Sequence, residues 1–235
     1  MCKIIFQEEK DFHAGALILV DKPLHWTSFD VVNKIRWCLK ASCGKIKVGH
    51  AGTLDPLATG LVVVCTGKWT KRIEEFMAQD KEYVADIHFG EVTPSFDLET
   101  MPEGCYPVEH ITEVFLEQVL DGFRGVIQQV PPVYSAIRVD GDRAYKKARK
   151  GGELEMPTRE VVVDELDVLK FAMPDIQLRI ACSKGTYIRS LANDIGRACG
   201  SGAYLSGLRR LRSGCFNVAD ANKMDELIVF LQNKL

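Results

Sequence analysis

One carboxylate in this chain of 235 residues is set apart by the loop that holds it. The segment Gly49-His50-Ala51-Gly52-Thr53-Leu54-Asp55-Pro56-Leu57-Ala58-Thr59-Gly60 places Asp55 immediately before a proline. Pro56 drives Asp55 out of the helical region toward extended geometry, and the neighbouring glycines permit sharp turns and close approach of a ligand to the backbone. Such a loop displays an aspartate and does not bury it. A displayed carboxylate, ionised at neutral pH with an ordinary pKa of about 3.9, suits nucleophilic catalysis, in which a covalent adduct divides one difficult substitution into two easier ones. A plain Asp-Pro turn between strands would look similar, so a second set of residues has to carry part of the argument. It lies far downstream, in Cys182-Ser183-Lys184-Gly185-Thr186-Tyr187-Ile188-Arg189-Ser190-Leu191-Ala192-Asn193-Asp194-Ile195-Gly196, a strand that turns into a helix, which spacing alone does not link to Asp55. Exclusion of water raises a carboxylate pKa, and a nearby guanidinium opposes that rise.

The elements that must position these residues are readable in outline. Ala16 to Asp21 forms a short apolar strand. Thr27 with Asp30 makes an N-cap, and Val31, Val32, Ile35 and Leu39 continue at helical spacing, which predicts a helix from about 28 to 40. The continuous apolar run from Gly60 to Thr66 predicts a buried strand after the Asp55 loop. Gly60 and Gly67-Lys68 mimic a phosphate-binding loop only superficially, because six residues separate the glycines where that motif needs four. Further on, the pattern predicts a short helix over 69–78, a strand over 81–90 and a long acidic loop over 91–108. A helix over 109–121 follows, then strands over 125–130 and 133–139, a turn at Asp140-Gly141 and a basic helix from Arg143 to Lys150. Long strands over 160–171 and 176–183 lead into a helix near Thr186, and a closing strand pair precedes a helix from Lys223 to Gln232. Without a regular strand-helix-strand rhythm, the fold class is α+β, a mixed and largely antiparallel central sheet flanked by helices.

The Gly49–Gly60 segment resembles the catalytic motif of the TruB family of tRNA pseudouridine synthases, and Cys182–Gly196 resembles the same family's later Lys-Gly-Thr-Tyr-Ile-Arg motif. Lys81-Glu82-Tyr83-Val84-Ala85 and Leu19-Val20-Asp21-Lys22-Pro23 resemble two further segments of that family, so four ordered matches span residues 19 to 196. The resemblance implies a pseudouridine synthase fold and conversion of uridine 55 in the T-loop of tRNA to pseudouridine. It implies Asp55 as nucleophile, Arg189 against it, and Tyr83 stacking on the uracil and assisting proton movement at C5. It implies that His50 enters the T-loop and fills part of the space left by a flipped base, and that Tyr187 and Leu208 line the base pocket. Lys22, Lys71, Lys184 and Arg210 are then phosphate or structural contacts. Pseudouridine formation detaches uracil from C1′, rotates it and rejoins it through C5, so composition is unchanged and neither metal nor redox cofactor is expected. The carboxylate can attack C1′, attack C6, or assist elimination to a glycal-like species.

The chain departs from the family pattern in two places. Thr93-Pro94-Ser95-Phe96-Asp97 is less acidic than the corresponding run in many relatives, although Asp97 stays in register. About forty residues follow the later motif, too few for the small RNA-binding PUA domain that relatives often carry. A single catalytic domain over 1–235 without a PUA domain is therefore expected, with the T-arm as the recognised part of tRNA.

Composition is that of an ordinary soluble globular chain, with 46% hydrophobic and 26% charged residues. No apolar run is long enough to span a bilayer, which predicts a cytoplasmic protein. Eight cysteines without a Cys-x-x-Cys pair point to reduced thiols and not to zinc. The net charge of -2 conceals a division: residues 34–72 carry eight basic residues and Asp55 alone among acids, and 184–212 carry six against Asp194 alone. Residues 91–121 carry eight acids and no Lys or Arg. Basic segments around both candidate motifs suit an RNA footprint. Two other readings are a guide-RNA-dependent pseudouridine synthase subunit, against which the expected lack of a PUA-like domain argues, and a non-catalytic tRNA-folding chaperone, which would not need Asp55, Tyr83 and Arg189 together. No obligatory protein partner, no guide RNA and a monomeric state are expected.

Overall fold

Chain order begins with the expected strand and capped helix, preceded by a short strand that the residue pattern did not signal. In the computed structural model, which describes residues 3–6, 8, 11–135, 138, 139, 142, 143 and 156–233, β1 (Ile4–Phe6) and β2 (Ala16–Lys22) precede α1 (Ser28–Cys43). Thr27 caps α1 with a reciprocal pair: the Asp30 N–H donates to Thr27 Oγ1 at 3.0 Å, and the Thr27 N–H donates to Asp30 Oδ2 at 2.9 Å. Val31, Val32, Ile35 and Leu39 are all buried on its inner face. The helix ends at Gly44, whose φ of 62° suits glycine. β3 (Val48–His50) and β4 (Ala58–Thr66) bracket the Asp55 loop, followed by a 3-10 turn (Gly67–Arg72), α2 (Ile73–Met77) and β5 (Lys81–Phe89).

The chain continues through α3 (Glu113–Asp121), β6 (Gly125–Gln129), the short pair β7 (Arg138–Val139) and β8 (Asp142–Arg143), β9 (Arg159–Ala172) and β10 (Asp175–Cys182). It then forms α4 (Ile188–Ala198), β11 (Ala203–Ser213), β12 (Phe216–Asn217), β13 (Asn222–Lys223) and α5 (Met224–Asn233). Contacts divide it into two units, Met1–Tyr83 with Leu208–Leu235, and Val84–Gly207. In the first unit β2 is central, pairing antiparallel with β1 and β4 and parallel with β13, while β4 takes β3 antiparallel and β11 parallel. A core of Leu17, Leu19, Ala51, Leu61 and Val63 sits under the Asp55 loop. In the second unit β9 lies between β10 and β6, antiparallel to both. The expected mixed, largely antiparallel sheet with flanking helices is what forms. Among the described residues no helix is long and apolar enough to cross a membrane.

Three expectations shift. The helix expected from 109 begins at Glu113, because the Thr112 side chain caps it by accepting the Phe115 N–H, while the Glu109 carboxylate ties up the Val108 N–H just upstream. The strand expected over 133–139 is confined, among described residues, to Arg138–Val139. Arg143 belongs to a strand and not to a helix. The Asp140-Gly141 turn and the rest of the expected basic helix, 144–150, lie outside the described residues.

Candidate active site

The Asp55 loop is fastened almost entirely through its backbone. The Ala51 N–H donates to the Val63 carbonyl at 2.8 Å, and the Ala58 N–H closes a turn onto the Asp55 carbonyl at 3.0 Å. The buried Ser28 at the start of α1 grips Leu54 twice, accepting its N–H at 2.8 Å and donating to its carbonyl at 3.2 Å. The Pro56 carbonyl accepts the His25 N–H at 2.8 Å. Asp55 itself is half-buried. These main-chain bonds fix much of the path of the loop.

Two cations hold this loop from beneath. Lys22 is 0% exposed at the end of β2, and its ammonium donates to the carbonyls of Trp26 at 2.6 Å, Pro23 at 3.0 Å and Pro56 at 3.5 Å. Arg210 is 1% exposed, with Nε on the Leu61 carbonyl at 2.7 Å and Nη2 on the Gly52 carbonyl at 3.1 Å. Arg210 sits opposite Gly60 in the parallel β11–β4 pairing. Gly60 has φ +102°, and a β-carbon there would lie 2.3 Å from the Arg210 carbonyl oxygen, so only glycine fits. Of the two roles expected for Lys22 and Arg210, phosphate contact or structural contact, these placements favour the structural one, since neither side chain has exposed surface to offer a phosphate. Both serve the loop.

Burial pulls the Lys22 ammonium down to about 8 from an ordinary 10.5, partly offset by the Asp55 charge and assisted by that of Arg210. The sign of its effect on stability follows. Below pH 8 both folded and unfolded chains carry the proton, and the folded chain bears the full cost of burying it. Between pH 8 and 10.5 the unfolded chain binds the proton more strongly, so stability rises with pH. The unfolding free energy of wild type relative to Lys22→Met, measured in urea, should accordingly increase from pH 8 to pH 10; a flat or falling difference would show that Lys22 is not desolvated.

His50 ends β3 opposite Val64 and is half-buried. Burial, then the Arg210 charge, push its imidazole below the ordinary histidine value, which favours the neutral form. Tyr83 is 8% exposed, on the face of β5 that also buries Lys81, Ala85, Ile87 and Phe89. Leu208 is half-buried and pairs with Ala58. Lys71 is exposed on the 3-10 turn after β4.

The second motif occupies the second unit. Tyr187 precedes α4 and is held by Gln129, whose side chain accepts the Tyr187 N–H at 2.8 Å and donates to its carbonyl at 3.1 Å. The Arg159 guanidinium lies 5.5 Å from the Tyr187 ring centroid. Lys184 is exposed. Arg189 is 4% exposed and its guanidinium joins three segments, donating from Nη1 to the Ser95 carbonyl at 3.3 Å and from Nη2 to the Tyr134 carbonyl at 3.2 Å, with Asp97 Oδ2 at 3.4 Å. Asp97 is the residue that sequence reasoning left without a role. Its signal was there, since it alone kept register in an otherwise divergent run. Of the second basic segment, Lys184 and Arg197 are exposed, Arg189 and Arg210 are internal, Arg209 pairs with Asp21 at 2.8 Å and Arg212 with Glu82 at 3.0 Å. The first footprint does reach the surface, where Lys40, Lys45, Lys47, Lys68 and Lys71 are exposed.

Solved structures define the class of fold. The whole chain superposes on the crystal structure of a Cbf5-Nop10-Gar1 complex with a TM-score of 0.72 and 27% identity, spanning 66% of that chain. It superposes over 99% of its length on an H/ACA RNP bound to a substrate RNA containing 2′-deoxyuridine, with a TM-score of 0.69 and 26% identity, spanning 64% of that chain. It thus spans just under two thirds of these solved chains and shares the fold of pseudouridine synthases. Residues 36–188 match the family model described as TruB family pseudouridylate synthase (N terminal domain), and residues 189–234 match the tRNA pseudouridylate synthase B C-terminal domain. A protein of Parabacteroides distasonis named tRNA pseudouridine synthase B is 54% identical over 96% of this chain and 97% of its own length. One of Phocaeicola vulgatus with the same name is 51% identical over 95% of this chain and 96% of its own. The chain belongs to the TruB family of pseudouridylate synthases.

Proposed function

We propose that this protein isomerises uridine 55 in the T-loop of tRNA to pseudouridine, with Asp55 as nucleophile on a flipped-out base. The observation that carries the reading is the Asp55 loop itself, pinned at Ala51, Gly52, Leu54 and Pro56 with its carboxylate half-buried. Family membership and the names of relatives that are 54% and 51% identical over the aligned residues support tRNA as the substrate. In the reaction the N1–C1′ bond breaks, a C5–C1′ bond forms, the C5 proton leaves to solvent and N1 regains a proton. Tyr83 and Arg189 are the accompanying catalytic groups, His50 takes up space vacated by the base, Tyr187 and Leu208 line the base site, and Lys71 and Lys184 meet phosphates. The protein acts as a monomeric, single catalytic domain in the cytoplasm. Neither guide RNA nor protein partner is needed: the structures that bring such partners share 27% and 26% of residues, against 54% for a relative named for tRNA.

Loss of the C5 proton gives a direct test. Purified protein alone, incubated with tRNA tritiated at uracil C5, should release tritium equivalent to one uridine per tRNA. Absence of release from any tRNA would sink the reading. RNA affinity should also fall with salt despite the negative net charge. If the five exposed lysines of 40–71 each meet a phosphate, the slope of log K against log salt is roughly -3.5 to -4.5. A salt-independent affinity would remove that face from RNA binding.

A further inference from the structure

The outer face of α1 carries a groove that the reaction does not use. It holds about 670 Å³ and is lined by His25, Trp26, Asp30, Asn33, Lys34 and Trp37. Trp37 is 61% exposed, Phe29 beside the groove is 59% exposed, and Lys34 Nζ lies 4.9 Å from the Trp37 ring centroid. Large exposed aromatics with a cation on their faces are costly to leave in water and are the usual platform for unpaired bases. Asp30, the acid of the groove, has its carboxylate engaged by Thr27 in the helix cap. Lys34, Arg36 and Lys40 lie on the same helix, so charge favours a polyanion over an acidic or neutral partner.

Two backbone observations tie this groove to the Asp55 loop. The His25 N–H donates to Pro56, and the Trp26 carbonyl accepts Lys22, whose ammonium also reaches Pro56. His25 moreover has φ +67°, a left-handed conformation that a β-carbon disfavours and glycine would adopt freely. A strained non-glycine residue that lines a groove points to use of its side chain.

We propose that this groove takes an unpaired nucleotide of the RNA substrate, its base stacked on Trp37 and its phosphate on Lys34. The inference builds on the reading that the protein acts on tRNA. It adds a contact outside the base that reacts.

Trp37→Ala tests it, since so exposed a side chain can be removed without disturbing the core. Adding T-arm RNA should quench the indole fluorescence of wild type, and most of that quench should vanish in Trp37→Ala. For this comparison both proteins carry Trp26→Phe, which removes the other indole that lines the groove, and Trp69, which packs over Gly15, remains as the second fluorophore. The variant should show a KM raised about tenfold, within the range for loss of one stacked base, with kcat within twofold because the contact is uniform through the reaction. His25→Gly should fold at least as stably as wild type yet bind severalfold more weakly. Active wild type with unchanged KM and quench in both variants would overturn the groove as an RNA site and leave tRNA modification standing. RNA-dependent quench through Trp37 in a protein that forms no pseudouridine would support the groove and sink the proposed reaction. Neither quench nor product would overturn both.

Discussion

Asp55→Asn is expected to lower pseudouridine formation by on the order of 10⁴-fold or more, while tRNA affinity stays within about threefold of wild type. Asparagine keeps the shape of the side chain but removes the nucleophile. Main-chain groups of Ala51, Gly52, Leu54 and Pro56 and the turn from Asp55 to Ala58 hold the path of the loop. Lys22, buried below, still finds its three carbonyl acceptors. Single-turnover rates and filter binding measured on the same preparation separate the two effects. Turnover within about tenfold of wild type would exclude Asp55 as nucleophile.

Arg189→Met is expected to cost about 3–5 kcal/mol of folding stability, the range for breaking a buried ion pair from one side, and to abolish activity. The guanidinium binds Ser95, Tyr134 and Asp97 with both terminal nitrogens, and removing it takes the counter-charge from the 4% exposed Asp97, which keeps the Glu99 N–H at 2.9 Å. Arg189→Lys should remain strongly impaired, because an ammonium cannot reproduce a planar fork aimed at acceptors from separate segments. Urea unfolding of Arg189→Met, Asp97→Asn and the double variant would reveal a coupling if the pair acts as a unit. A loss below about 1 kcal/mol for Arg189→Met would show that the pair is solvated.

Much of the first unit was legible in the residues because local rules and tertiary packing agree there. Thr27 and Asp30 mark the start of α1, its buried stripe follows helical spacing, and the apolar run after Gly60 could only be a covered strand. The same agreement made Asp55 conspicuous. The fates of the cations were not legible. Lys22 and Arg210 read as phosphate or structural contacts alike, and nothing local says that their acceptors are the carbonyls of Pro56 and Gly52, which come together only when β2, β4 and β11 are side by side. Asp97 met the same limit, since its partner Arg189 lies on a helix far along the chain. The late start of α3 followed from a competition between caps that periodicity alone does not weigh. His25 was silent for another reason, because a positive φ at histidine carries no sequence signature.

Nucleotide-resolution mapping of pseudouridine in unmodified tRNA incubated with the purified protein alone tests the central claim most directly. The account predicts a single modified position, uridine 55 in the T-loop, formed without guide RNA by wild type and absent with Asp55→Asn. Modification that requires an added guide, that appears at a different site, or that persists in Asp55→Asn would contradict it.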